Sequence, residues 1–495
     1  MLLRSFRTIL LCTILLCLVS VSGVLTARAK SSTTHAGRSF QPSGHGVIVP
    51  QKINPTTIKQ SKLTLSASSM EQPASALSKR ASVPYPSNVV SVPAPGSTDA
   101  SAKTGLSLGQ PKPDASGAGG IDNYLETVEG GIAIYSRSGT RQFETTYQSW
   151  FGLPSAQFHD PVTMWDNTGN RFLFSILEQS TSSILIAVAQ QTNATGTYCT
   201  YNFSNLANHD FDKLGVDQDG IYVSANILSQ STGQVVSNEL FYASRTAMES
   251  CQKVTYTSWQ GLTNPDGTIA ESISPARQDS STSGVEYLVN SIPAGSCKLT
   301  LWTLTSSGNL SNTSVSTQCY SPPPPAKQKG SSTLIGTDDC SVTQASYVNG
   351  LLTLDTPGAY DWGDGNGPVG IVEWYQINPS TATVANQGAF GTKGDWLFFP
   401  SAITTSNGHM LFVYSASGSS IYPSVWYVNQ SLKGTTALAN GGGYYTYGGL
   451  HISPWGDYQS AWPDASSINA NAVWITGIYS MSKNNWSTKF DLITP

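Results

Sequence analysis

The chain has 495 residues and a formal net charge of −4, with only 11% of residues charged, well below the usual share of about a quarter. Ser, Thr, Asn and Gly carry the polarity instead. No Lys/Arg cluster grips a phosphate backbone, which excludes nucleic acid as a partner, and no apolar run beyond the N-terminal one is long enough to span a bilayer.

In chain order, Arg4 and Arg7 precede an apolar run from Ile9 to Leu25, and Ala27-Arg28-Ala29 supplies a small-x-small cleavage site. Residues 1–29 are therefore expected to be a signal peptide, and the protein secreted or displayed at the cell surface. The alternative is a retained anchor, for which the run is near the lower length limit and contains Ser20 and Ser22. Cys12 and Cys17 both follow Leu, so a lipidated Cys is not expected.

Residues 30–112 are rich in Ser, Thr, Ala and Pro and read as a disordered tether, with too little apolar surface to offset chain entropy. Two β-branched pieces interrupt it, Gly46 to Pro50 and Asn88 to Pro93. Each is either an isolated strand or a chance run.

From Asp114 the character changes. A strand-rich pattern returns roughly every fifty residues to the C-terminus, a spacing of propeller blades. In the second unit, which begins at His159, Phe172, Phe174 and Ile176 point one way and Leu173 and Leu177 the other. A strand apolar on both faces is covered on both sides. The expectation is an all-β propeller of four-stranded antiparallel blades over residues 113–495, seven favoured and six the alternative. The last unit shows three clear strands, so an N-terminal piece is expected to complete it: Asn88 to Pro93 first, Gly46 to Pro50 next.

Five cysteines follow the signal: Cys199, Cys251, Cys297, Cys319 and Cys340. An odd number leaves at least one unpaired within the chain, and no C-x-x-C spacing suggests zinc. KLTLWTL and TSVSTQ flank SSGNLSN and form a hairpin. Centring it on Gly308 sets Leu299 opposite Thr317 and pairs Cys297 with Cys319. The rival is Cys319 with Cys340, across Pro322 to Pro325.

These motifs carry a family likeness. KPDASGAGGIDNYLETVEGG from Lys112, HDPVTMWDNTGNRFLF from His159, FDKLGVDQDGIYVSAN from Phe211, FFPSAITTSNGHMLFVYSAS from Phe398 and WGDYQSAWPD from Trp455 resemble a broad group of secreted bacterial β-propeller proteins. The resemblance implies fold and lineage and no particular reaction. The sialidase architecture is similar, but the Ser-x-Asp-x-Gly-x-x-Trp box is missing and Arg137, Arg141, Arg171, Arg245 and Arg277 do not read as a carboxylate clamp.

Ligands of a propeller are expected at the mouth of its axis, where loops converge. The residues that open the units are the candidates: His159, Asp160, His209, Asp210, Asp212, Lys213, Arg277, Asp279, Asp338, Asp339 and Asp457, with Trp455 beside them. Gathered carboxylates could bind Ca²⁺ or supply an acid–base pair for glycan cleavage. Each Asp has the alternative role of capping a turn. DWGDGNG, with Asp361 and Asp364, is a further Ca²⁺ candidate without EF-hand spacing, or an ordinary glycine-rich turn. No other cofactor is expected. Tyr444, Tyr445 and Tyr447 could stack on sugars or pack between blades. The expected function is non-catalytic binding of an extracellular glycan or protein by a monomer. The alternative is a carbohydrate-active hydrolase or lyase, marked by an acid pair about 5 to 10 Å apart in a pocket.

Overall fold

The structure, a computed structural model, describes residues 38–61, 63, 83–109, 112–204, 207–278, 284–365, 367–465 and 471–495. The expected signal peptide and Asp279 lie outside them. Among the described residues no helix is long and apolar enough to cross a membrane.

The chain is an all-β propeller. Strands alternate with tight turns, and the two-faced apolar strands are buried on both sides: Phe172, Leu173, Phe174, Ile176 and Leu177 are all at most 1% exposed. Among the described residues the antiparallel pairings group into seven successive units. Unit 1 comprises Ser116–Gly119, Asn123–Val128, Gly131–Ser136 and Arg141–Thr146. Unit 2 comprises Phe158–Asp166, Arg171–Glu178, Ser183–Ala189 and Tyr198–Ser204. Units 3, 4, 5 and 6 begin at His209–Val216, Ser274–Gln278, Ala345–Val348 and Asp395–Thr404 and each continue through three more strands. Unit 7 comprises Ser460–Pro463, Val473–Ser482 and Asn485–Ile493, completed by Lys103–Gly109. The first strands contact one another in cyclic order, and that of unit 7 returns to that of unit 1. They therefore line the axis.

The segment expected to be a tether is instead, over its described residues, a belt around the units' outer edges. Ser39–Phe40 pairs with unit 4, Gly44–Ile48 with unit 3 and Gln51–Ile53 with unit 2. Leu63 then donates its N–H to Glu144 of unit 1 at 3.0 Å. Val89–Ser91 runs parallel to Ala389–Gly391 of unit 5, Thr98 bridges Ala437 of unit 6, and Lys103–Gly109 closes unit 7. Composition misleads here because strand addition draws on backbone hydrogen bonds to a ready-made edge, so few apolar side chains are needed. Among the described residues Ile48, Pro55, Leu63, Pro86, Val92 and Leu106 are the apolar ones buried. Closure of the last unit by N-terminal residues occurs, but through Lys103–Gly109. The two favoured pieces serve units 5 and 3.

Disulfides join Cys297 to Cys319 and Cys199 to Cys251, and Cys340 is a buried free thiol. The hairpin register differs from expectation. Leu299 faces Val315, because an irregularity between Ser296 and Lys298 shifts the pairing before it reaches the cysteines.

Candidate functional site

The end of the ring where the first strands begin is the front face. Several first strands start with a kink. Bulges separate His159 from Val162, Asp210 from Lys213 and Phe398 from Ser401. Within them Asp160, Phe211 and Phe399 hold φ of 55°, 54° and 47°, a left-handed conformation that non-glycine residues adopt at a cost. A bulge re-aims side chains and backbone N–H groups out of the ladder. Here it turns them towards neighbouring units.

Four of those units meet in a cluster around Lys112. Its Nζ lies 2.6 Å from Asp457 Oδ2, 3.3 Å from Asp114 Oδ2 and 3.9 Å from Asp160 Oδ1. The carboxylates also bind backbone. Asp114 accepts the N–H of Asp457 at 2.7 Å and Asp160 that of Phe211 at 2.8 Å. Glu129 accepts that of Asp160 at 3.3 Å. Units 7, 1, 2 and 3 are thus stitched in sequence. Burial pushes the Asp160 carboxyl up, but the Lys112 ammonium and His159, whose Nδ1 is 3.5 Å away, outweigh it and hold it below the usual carboxylate range. Asp212 behaves oppositely. Burial and the Asp160 charge push it up to about 7, against a 2.5 Å hydrogen bond from Ser175. Burial pulls Lys213 down to about 8 against the attraction of Asp212 and Asp160. Its ammonium sits 3.0 Å from the Phe211 ring centroid and 4.6 Å from that of Tyr458.

Behind this cluster, side chains of the first strands and the segments ahead of them pack together. Ser116, Val162, Leu214, Gln344, Gln459 and Trp462 leave a void of about 10 Å³, room for no more than one water. Trp462 donates to Thr163 O at 3.0 Å, Gln344 to Ala461 O at 2.8 Å and Gln459 to Ser415 Oγ at 2.6 Å. A cavity of about 370 Å³ lies instead at the rim, between units 3 and 4 and the belt. Tyr222, Tyr242, Trp259, His45 and Asp219 line it, with the Leu304–Asn309 turn.

Of the candidate residues, the structure brings His159, Asp160, Asp210, Asp212, Lys213 and Asp457 to this cluster or its border. Asp339 is half-buried nearby, accepts the Ser341 N–H at 2.7 Å and, after burial, is the second cause holding Glu271 up at about 7. Asp338 beside it is exposed. Arg277 is 1% exposed and donates Nε to Trp165 O at 2.9 Å, so it braces the interior. Trp455 is likewise interior, donating to Ser415 Oγ at 3.0 Å. His209 is buried with Nε2 3.3 Å from Glu239. It is not the counterpart of His159, since the bulges align His159 with Asp210. Asp361 and Asp364 lie apart on an exposed turn of unit 5, where Asp361 accepts the Gly363 N–H at 2.8 Å.

Lys112, Asp114, Glu129 and Tyr458 are the cluster members that sequence reasoning missed. For Lys112 and Asp114 the signal was the Lys-Pro-Asp run ahead of unit 1. Two groups have ligand atoms within 4.8 Å of one another, His159 with Asp160 and Asp210, and Asp114 with Glu129 and Asp160. They could hold a metal ion, although Lys112 already supplies a cation to two of the second group. The arginines are dispersed in fold contacts, such as Arg137 with Asp464 at 2.8 Å and Arg245 with Asp166 at 3.2 Å.

No family model and no curated protein matches the chain. Among solved structures it is similar to the WD40 domain of SCAP from fission yeast, with 11% identity, a TM-score of 0.32, and coverage of 75% of this chain and 82% of that one. An exo-beta-1,3-galactanase from Phanerochaete chrysosporium gives 11% identity and a TM-score of 0.32, covering 79% and 81%. TolB from Acinetobacter baumannii gives 9% and 0.26, covering 78% and 80%. Likeness this slight carries no weight for ligand or reaction.

Proposed function

We propose that this chain is an exported seven-bladed propeller that binds an extracellular glycan or protein without catalysis. The observation that carries this reading is the use made of its axial carboxylates. Asp114, Asp160 and Asp457 share Lys112, and the first two also bind backbone N–H groups of neighbouring units. The void among the side chains behind them, about 10 Å³, has no room for a sugar ring. An acid pair engaged in the fold's own bonds is not free to protonate a leaving group or activate water. Two disulfides fit an oxidising compartment. The resemblance to secreted bacterial propellers supports the same placement.

One observation favours the hydrolase reading. Asp160 is held low and Asp212 raised to about 7, and carboxylates pushed apart in this way mark acid–base pairs. The deciding experiment screens the protein on a glycan array and analyses each bound glycan for new reducing ends. Binding without cleavage supports the proposal. Cleavage that disappears in Asp212→Asn establishes the hydrolase.

A further inference from the structure

The short hairpin Ala326–Gln328 and Ser331–Ile335 stands outside the seven units. It packs on the front face against the second-to-third strand turn of unit 6 and the loop around Tyr445 that leads to unit 7. Ser417 Oγ donates to Lys327 O at 2.8 Å, the Lys329 N–H to Ile421 O at 3.0 Å, and Gln328 exchanges two 2.8 Å bonds with the Tyr445 backbone. Gln328 is buried, and Lys327 and Lys329 on either side of it are exposed. Lys327 sits at an irregularity of the short strand and Lys329 in the turn that follows it.

Each ammonium rests over an aromatic ring. Lys327 lies 5.6 Å from the Trp396 centroid and Lys329 5.1 Å from that of Tyr422. Lys483, on the neighbouring turn of unit 7, lies 5.2 Å from that of Tyr444. The arrangement is continuous, because a Cβ on Gly330 would stand 3.6 Å from both Tyr422 and Tyr444. Among the described residues none of the three lysines has a carboxylate within 4.0 Å. Asp395, next to Trp396 in the chain, is buried and raised to about 6 by that burial.

A lysine held over a ring has already lost much of its rotamer freedom while keeping its N–H donors. Three such ammonium groups in an arc, without counter-charges of their own, suit a ligand with repeated anions along an extended chain. Hydroxyl and amide groups of Ser331, Thr446 and Asn484 border the arc, and the chain as a whole is acidic. That combination favours a hydroxyl-rich polymer over a nucleic acid, which would call for more positive charge. We propose that the arc formed by Lys327, Lys329 and Lys483 over Trp396, Tyr422 and Tyr444 binds acidic polysaccharide, a polymer of uronate or sulfated sugars. The assignment rests on the binding reading above and names its ligand class and its place.

The test immobilises polygalacturonate, chondroitin sulfate, neutral dextran, single-stranded DNA and anionic phosphatidylglycerol vesicles, and measures retention of the full chain at about 50 mM salt, where exposed charges still act over distance. The acidic polysaccharides should retain it and dextran should not. The combined variant K327Q/K329Q/K483Q should bind about tenfold more weakly with a shallower salt dependence. The control K253Q/K298Q/K433Q, which removes three exposed lysines elsewhere, should bind as the parent does. Y422L/Y444L, with its lysines intact but released from their rings, should lose part of the affinity. Equal loss in the control, no loss in the arc variant, or equal retention by DNA or vesicles overturns the arc. Retention by dextran alone overturns the arc and leaves the binding reading standing. Depolymerisation of the bound glycan overturns the binding reading itself.

Discussion

Replacing Lys112 by Met tests whether the front-face cluster holds the ring together. The side chain is 9% exposed, and its ammonium serves Asp114, Asp160 and Asp457. Met keeps the apolar stem and deletes the charge, leaving carboxylates buried beside one another. Removing one partner from a buried ion pair costs about 3 to 5 kcal/mol. At about 2.1 cal/mol/K of unfolding entropy per residue, roughly 400 ordered residues make each kcal/mol worth about 1 °C in Tm. The expected loss at pH 7 is therefore about 4 to 6 °C. The pH dependence has a definite sign. In the parent, Asp160 is held below its unfolded pKa, so its stabilisation is present above that value and is lost as pH falls through the folded one. In the variant, burial acts unopposed by Lys112 and raises the Asp160 pKa, so the penalty is present at neutral pH and disappears on acidification. The gap between parent and variant should narrow steadily from pH 7 towards pH 4. Scanning calorimetry across that range measures it. A gap below about 1 °C at pH 7, or one that stays constant with pH, would refute the clasp.

The belt and its closure make two further predictions. Deleting residues 35–60 strips short strands from units 4, 3 and 2 and should lower Tm by a few degrees while leaving a folded monomer on size exclusion. Extending the deletion through Gly109 uncovers the edge Asn485–Ile493 and should give aggregated protein, as an unpaired strand edge invites; soluble monomer of normal stability would contradict closure by this strand. Glu126 reports the same seam. It accepts the Leu106 N–H of the closing strand at 3.0 Å, and burial raises it to about 7 against hydrogen bonds from Thr488 and Tyr135. A carboxyl raised on folding loses stability as pH climbs from its unfolded pKa to the folded one. Glu126→Gln should therefore flatten the fall in Tm between about pH 4.5 and 7 relative to the parent; parallel curves would show that Glu126 does not titrate with folding.

The blade pattern was legible because packing between units demands strands apolar on both faces. Residues 172–177 meet that demand with no help from context. The front-face site was legible in part. Asp160, Asp212 and Asp457 were found because they stand where first strands start. Lys112 was assigned to a tether by its surroundings, and its role depends on Asp160 and Asp457, brought from distant parts of the chain to join Asp114 two residues on. Bulges hid the rest. One extra residue in a first strand aligns Asp210, not His209, with His159, and a similar irregularity displaced the Leu299 register while leaving the Cys297–Cys319 bridge in reach.

The belt shows why composition alone was a poor guide to the N-terminal region. A propeller solves the edge problem around its axis by closure, but every outermost strand still presents unpaired N–H and C=O groups at the rim. Covering them takes an extended chain with free backbone, and side chains matter only where one dips inward. Ile48, Leu63, Val92 and Leu106 do so, while Val47 and Val49 beside them stay exposed. Such a segment looks unfoldable when judged by its own apolar content, and by itself it is. Its order is borrowed from the edges it covers. At Lys103–Gly109 the loan is returned: Gly105 has no room for a Cβ against Thr488 and Glu126, so the strand that looked most like linker sits in the most constrained seam of the ring.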